Sequence, residues 1–128
     1  MTLYHFCADR HVKNIIRQGL IHGGVCEPTK TGYIIHRGWM WLTTDPDPKR
    51  QSWATRKSIP YSRTAWRLTI EIPDEEIRNI YDHKTLPQLW PATVCLFRGW
   101  AGSENWRVYR GMIPKQWIKA AERMEGQA

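Results

Sequence analysis

Residues 64 to 72, Thr-Ala-Trp-Arg-Leu-Thr-Ile-Glu-Ile, alternate apolar and polar cleanly before Pro73 stops them. A period of two puts Trp66, Leu68, Ile70 and Ile72 on one side of an extended chain, with Arg67, Thr69 and Glu71 on the other. Such a segment is stable only in a sheet with one face covered, so the chain must supply neighbouring strands and a layer to pack on them. Residues 2 to 7 (TLYHFC) read as a first strand. Residues 38 to 44 (GWMWLTT) read as another, with Trp39 and Trp41 on one side and Met40 and Leu42 on the other. Shorter strands are expected at residues 33 to 35, 94 to 97 and 106 to 109.

Helical signals are fewer. Asp9 reads as an N-cap ahead of Val12, Ile15, Ile16 and Leu20, with Gly19 as the stop. Asp45-Pro46 reads as the start of a basic helix running to about Lys57, and Pro114 as the start of a last amphipathic helix carrying Trp117, Ile118 and Ala121. Residues 74 to 79 suit a short helical turn, and residues 21 to 32 a loop. The expected class is α+β, in one domain over residues 1 to 128, with a tail frayed beyond about residue 125.

No apolar run approaches the ~20 residues that span a bilayer, and the first residues do not read as a signal peptide. Cys7, Cys26 and Cys95 are odd in number and form no CxxC, and His11, His22 and Cys26 match no metal-ligand spacing. Neither a disulfide framework nor a metal site is expected, and the expected setting is cytoplasmic. Two features are abnormal: eight tryptophans, and a net charge of +7 from 19 basic and 12 acidic residues. The excess charge favours an anionic partner, a nucleic acid or a nucleotide, rather than a membrane.

The charge is uneven. Lys49, Arg50, Arg56, Lys57, Arg63 and Arg67 follow one another with no acid between them. On a helix, Lys49, Arg50, Arg56 and Lys57 would share one broad face with Trp53 among them. That is either a phosphate-tracking stripe with a stacking platform or a solvated surface. Trp39, Trp41 and Trp66 read as packing, whereas Trp53 and Trp100 flank basic or Gly-rich stretches and read as stacking candidates. Glu104 stands alone as an acid between Asp82 and Glu122, in the Gly-rich turn GWAGSENWRVY.

Taken in order, these segments resemble the ADP-ribosyltransferase-like superfamily, which includes the RNA 2′-phosphotransferases. LYHF…HVKNIIRQGL resembles that family's first strand and helix. GWMWLTTDPDPKRQSWATR resembles its second motif, TAWRLTIEIP the strand that follows, and ENWRVYRGMIPKQWI the closing acidic strand. The resemblance implies two small packed β-sheets with flanking helices and NAD bound as a substrate in a cleft between them, without a metal. It implies transfer of ADP-ribose to a protein or nucleic-acid acceptor, as in a toxin or a phage or mobile-element effector.

By position, the resemblance makes His5 the ribose-binding and catalytic histidine and Glu104 the catalytic carboxylate. Trp41, or Thr43 beside it, takes the second-strand place and Trp53 stacks on nicotinamide. Independently of the resemblance, Arg10, Arg37 or Arg56 would pair with the pyrophosphate, a guanidinium doing so bidentately. Trp41 stands where the family often has Tyr, and Gly102 where arginine-modifying members carry an acid or amide, so arginine is not implied as the acceptor. The chemistry is coherent. Breaking the nicotinamide–ribose bond builds positive charge on the sugar, which a preorganised carboxylate stabilises while indole faces exclude water. Two alternatives stay open: an RNA 2′-phosphotransferase of the same fold, and a non-catalytic, basic, Trp-rich module that binds nucleic acid or protein.

Overall fold

The computed structural model describes residues 1–51 and 62–124. The segments expected as strands at residues 2 to 7, 38 to 44, 64 to 72 and 106 to 109 become β1 (Thr2–Cys7), β4 (Trp39–Thr43), β5 (Trp66–Glu71) and β7 (Trp106–Arg110). The sequence did not mark two further strands, β6 (Ile80–Tyr81) and β8 (Ile118–Arg123). They form one antiparallel sheet in the order β6-β7-β4-β1-β5-β8. A separate hairpin pairs β2 (Gly24–Thr29) with β3 (Gly32–Arg37), and the helices are α1 (Asp9–Gln18) and α2 (Leu86–Leu89). The class is α+β. Among the described residues its two sheets have six strands and two.

Alternation sorts the side chains as the sequence requires. Leu3, Met40, Leu42, Leu68, Ile70 and Tyr109 point to one side of the sheet and pack with Val12 and Ile15 of α1. Trp39 and Val108 point to the other and pack with Val25 of the hairpin and Leu86 of α2. Leu3, Leu68 and Ile70 are completely buried, and each such side chain contributes about 1.5–3 kcal/mol over its exposed state. Gly19 ends α1 at φ 89°, and its N–H donates to the Ile15 carbonyl at 2.7 Å. A β-carbon there would sit 2.5 Å from the Ile113 carbonyl oxygen, so both conformation and space demand glycine.

The sheet is nearly divided. β1 pairs with β5 along six positions, from Thr2↔Glu71 to Cys7↔Trp66, but with β4 only at Tyr4↔Thr43. Beyond that pair β1 and β4 part. The halves β6-β7-β4 and β1-β5-β8 are thus joined by one ladder position and by the shared core beneath.

Several expectations are corrected. Residues 24 to 29 form β2, not loop, because β3 next to them needs a partner for its backbone groups. Residues 94 to 97 are not a strand: Pro91–Leu96 is a 3-10 stretch whose Thr93 hydroxyl donates to the Trp90 carbonyl at 2.6 Å. The segment after Pro114 makes one 3-10 turn, Lys115–Trp117, and then β8, which satisfies the outer edge of β5. Ala8, not Asp9, occupies the N-cap of α1, and the Asp9 carboxylate accepts instead from Arg123 and the Trp66 indole. After Asp45 the described chain makes only a 3-10 turn, Pro48–Arg50, capped by Asp47 accepting from the Lys49 amide at 2.8 Å. The rest of the expected helix lies outside the described residues.

Candidate functional site

Where β1 and β4 part, a cavity of about 460 Å³ opens, within the usual range for small-molecule sites. Tyr4, His5 and Phe6 of β1 and Trp41 and Thr43 of β4 line it, with Gly24 and Cys26 of β2, Leu96, Trp100 and Trp106 closing around them. Trp41 and Trp106 meet edge to face at 6.0 Å, and Trp100 lies 6.2 Å from Trp106. Each aromatic therefore fixes its neighbour. The Trp41 indole N–H donates to the Gly24 carbonyl at 3.0 Å, tying the hairpin over the cavity. A β-carbon on Gly24 would come within 2.9 Å of the His36 carbonyl oxygen, so this close approach also needs glycine.

His5 occupies the parting itself. In an unbroken ladder it would face Leu42. Instead its Nδ1 lies 3.0 Å from the Trp41 carbonyl oxygen. A carbonyl only accepts, so Nδ1 carries the proton and Nε2 is left as an acceptor when the ring is neutral. Burial lowers the His5 pKa, the Trp41 carbonyl opposes that, and the nearby His11 lowers it further. The net shift is downward and favours the neutral ring. Thr43 is buried, and its hydroxyl accepts from the Asp45 amide at 3.1 Å. That leaves its O–H proton to donate elsewhere.

The structure thus brings three of the expected residues, His5, Trp41 and Thr43, to one cavity. Glu104 is elsewhere. It lies in a 3-10 turn, Ser103–Asn105, with an exposed side chain, and borders an open depression with Thr44, Asp45, Lys49, Arg50 and Ala101. The two recesses are lined by consecutive residues, Thr43 and Trp100 in the cavity, Thr44 and Ala101 in the depression. The Glu104 backbone carbonyl, not its carboxylate, accepts from Arg107 at 2.8 Å. Among the described residues the cavity lining holds no carboxylate.

Arg50 places both guanidinium hydrogen bonds, each 2.9 Å, on Asp45. That pairing holds the Asp45 carboxyl below the usual range, with partial burial opposing it. Arg67, at the other end of the basic run, pairs with Glu122 at 3.0 Å. Acids therefore engage Arg50 and Arg67 at either end of the run. Lys49 is exposed beside Arg50, while Trp53, Arg56 and Lys57 lie outside the described residues.

The sequence singled out Trp100 as a stacking candidate but missed Gly24, Cys26 and Leu96, which come from segments read as loop or strand. Only the Gly23-Gly24 pair, a mark of close backbone approach, pointed to the first of these. Among the described residues no group of three or more His, Cys, Asp or Glu side chains is placed to hold a metal ion. No helix among them is long and apolar enough to cross a membrane. No protein-family model matches the chain, and no curated protein or solved structure matches it significantly.

Proposed function

We propose that the chain is an ADP-ribosyltransferase-like enzyme that binds NAD at the parting of β1 and β4 and transfers ADP-ribose to a macromolecular acceptor. One observation carries the reading. His5, Trp41 and Thr43, from strands far apart in sequence, converge on a single aromatic cavity at the place where the sheet divides. In this reading the indoles take the nicotinamide ring, and His5 Nε2 accepts a hydrogen bond from a ribose hydroxyl. The nicotinamide–ribose bond breaks, its electron pair leaves with neutral nicotinamide, and the acceptor atom bonds to the ribose carbon and gives up its proton. Glu104, at the adjoining depression, stands on the acceptor's side of the reaction, where a carboxylate stabilises the developing sugar cation.

The lining also favours a second reading. Arg63 and His5 face a cavity with no acidic residue among its described walls. A phosphorylated RNA acceptor would suit those walls, because its phosphate is already anionic and needs no general base to attack. Both readings require NAD. A ligand of the native state stabilises it by about 2.7 kcal/mol at a hundred times its dissociation constant, so millimolar NAD should raise the melting temperature. Free nicotinamide should then appear when acceptor is supplied. Protein acceptors, DNA, and RNA with and without a 2′-phosphate separate the two readings. No thermal shift and no nicotinamide would leave only the binding-module reading.

A further inference from the structure

His5, Phe6 and Arg63 also border a second recess, of about 450 Å³, on the α1 side of the parting. Its walls differ from the aromatic cavity. His11, Asn14 and Gln18, spaced three and four residues apart on α1, line it together with His22 from the following segment. Those side chains carry amide and imidazole donors and acceptors, the groups that read the edge of a nucleobase. Asn14 Oδ1 accepts from Arg17 at 3.2 Å and His11 Nε2 from Arg10 at 3.3 Å until a base displaces them. Beside them on the same helix runs a second row, Arg10, Lys13 and Arg17, all exposed. Helical rise spreads this row over about 10 Å, longer than one pyrophosphate requires. The single acid on α1 is Asp9, which Arg123 and the Trp66 indole already hold.

The recess is polar on its α1 wall, apolar at Phe6, Ile15, Leu20 and Ile21, and roomy enough for a base. A row of cations alongside such a recess is the arrangement that a single strand needs, with phosphates on the rail and one base turned inward. A duplex keeps its base edges paired and stacked, so it cannot fill the recess. We infer that α1 is the docking surface for a single-stranded nucleic acid, one of whose bases enters the recess beside His5. The inference deepens the proposed function, on which it rests for the identity of the acceptor: the base reaches the parting from the α1 side while NAD occupies the aromatic side.

Fluorescence anisotropy with a labelled single strand of about 12 nucleotides, DNA and RNA in turn, tests this in the full chain without NAD. Affinity should fall with salt, each phosphate contact contributing a slope of about −0.7. Replacing Arg10→Gln and Lys13→Gln together should make that slope shallower by about 1.4. Replacing Asn14→Ala and Gln18→Ala should weaken binding roughly tenfold at unchanged slope. All four are exposed, and an unchanged melting temperature verifies that each variant is folded.

Equal binding of duplex, no binding of single strands, or a slope indifferent to Arg10 and Lys13 would overturn the inference. So would loss of the NAD thermal shift in the Asn14→Ala, Gln18→Ala chain with oligonucleotide affinity intact, since the recess would then hold the far half of the dinucleotide. Strand binding that depends on the rail, with no response to NAD in any chain, would sustain the docking surface and sink the transferase reading instead.

Discussion

At the scale of single residues, His5 carries the clearest consequence of its surroundings. Its folded pKa lies below the unfolded value of about 6.5, chiefly because burial penalises the charged ring. The unfolded chain therefore binds more protons in the interval between the two values. Stability is fully present above about pH 6.5 and is lost as pH falls through that interval. Asn at position 5 can still donate to the Trp41 carbonyl but does not titrate. His5→Asn should thus flatten the decline in melting temperature between about pH 7 and pH 5, and an unchanged decline would place the sensitivity in other groups. Glu104 makes the opposite prediction, because its exposed carboxylate supports nothing in the described fold. Glu104→Gln should melt normally and retain NAD, while nicotinamide release falls about 100- to 1000-fold. A fully active variant would remove Glu104 from the chemistry, and an unfolded one would mark it as structural.

At the scale of elements, what the sequence revealed follows from which forces are local. β1, β4, β5 and β7 were legible because alternation sorts their side chains between two faces, with Leu3, Met40, Leu42, Leu68 and Ile70 all falling on the α1 side. His5, Trp41 and Thr43 were legible with them, since they ride on those strands. β8 was not. Ile118-Lys119-Ala120-Ala121 suits a helical stripe as well as an edge strand, and the open edge of β5, which decides the matter, is fifty residues away in sequence by rough count. The Val94–Phe97 run misled for a related reason: four apolar residues have no period, and the local Thr93–Trp90 hydrogen bond decided for a 3-10 turn. The α1 stop was legible because its positive φ is a local demand for glycine, to which the distant Ile113 carbonyl adds a second. Gly19→Ala imposes a positive φ on a residue with a β-carbon and drives that carbon into the Ile113 carbonyl. The expected loss is about 1–3 kcal/mol, seen as a lower denaturant midpoint at unchanged slope. A variant as stable as the parent would show that α1 and the Ile113 segment can separate freely.

At the scale of the whole molecule, the parting raises the question of whether its two halves fold together. The ladder says they are nearly independent, with Tyr4↔Thr43 alone between β1 and β4. The core says otherwise. Leu3, Leu68 and Ile70 come from one half, Met40, Leu42 and Tyr109 from the other, and all belong to one buried cluster under α1. Ladder hydrogen bonds contribute about 0.5–1.5 kcal/mol each, whereas truncating one buried Leu, Ile or Met to Ala removes about 2–5 kcal/mol. The core therefore dominates, and the site can be open at the sheet while the molecule remains one cooperative unit. Unfolding followed by far-ultraviolet dichroism and by tryptophan fluorescence should give coincident transitions. Ile70→Ala, in the β5 half, should shift both together, with Trp66 reporting from that half and Trp39, Trp41 and Trp106 from the other. A fluorescence signal that splits into two transitions, of which the substitution moves one, would show the halves unfolding separately, and the cleft would then be a boundary between two units rather than an opening within one.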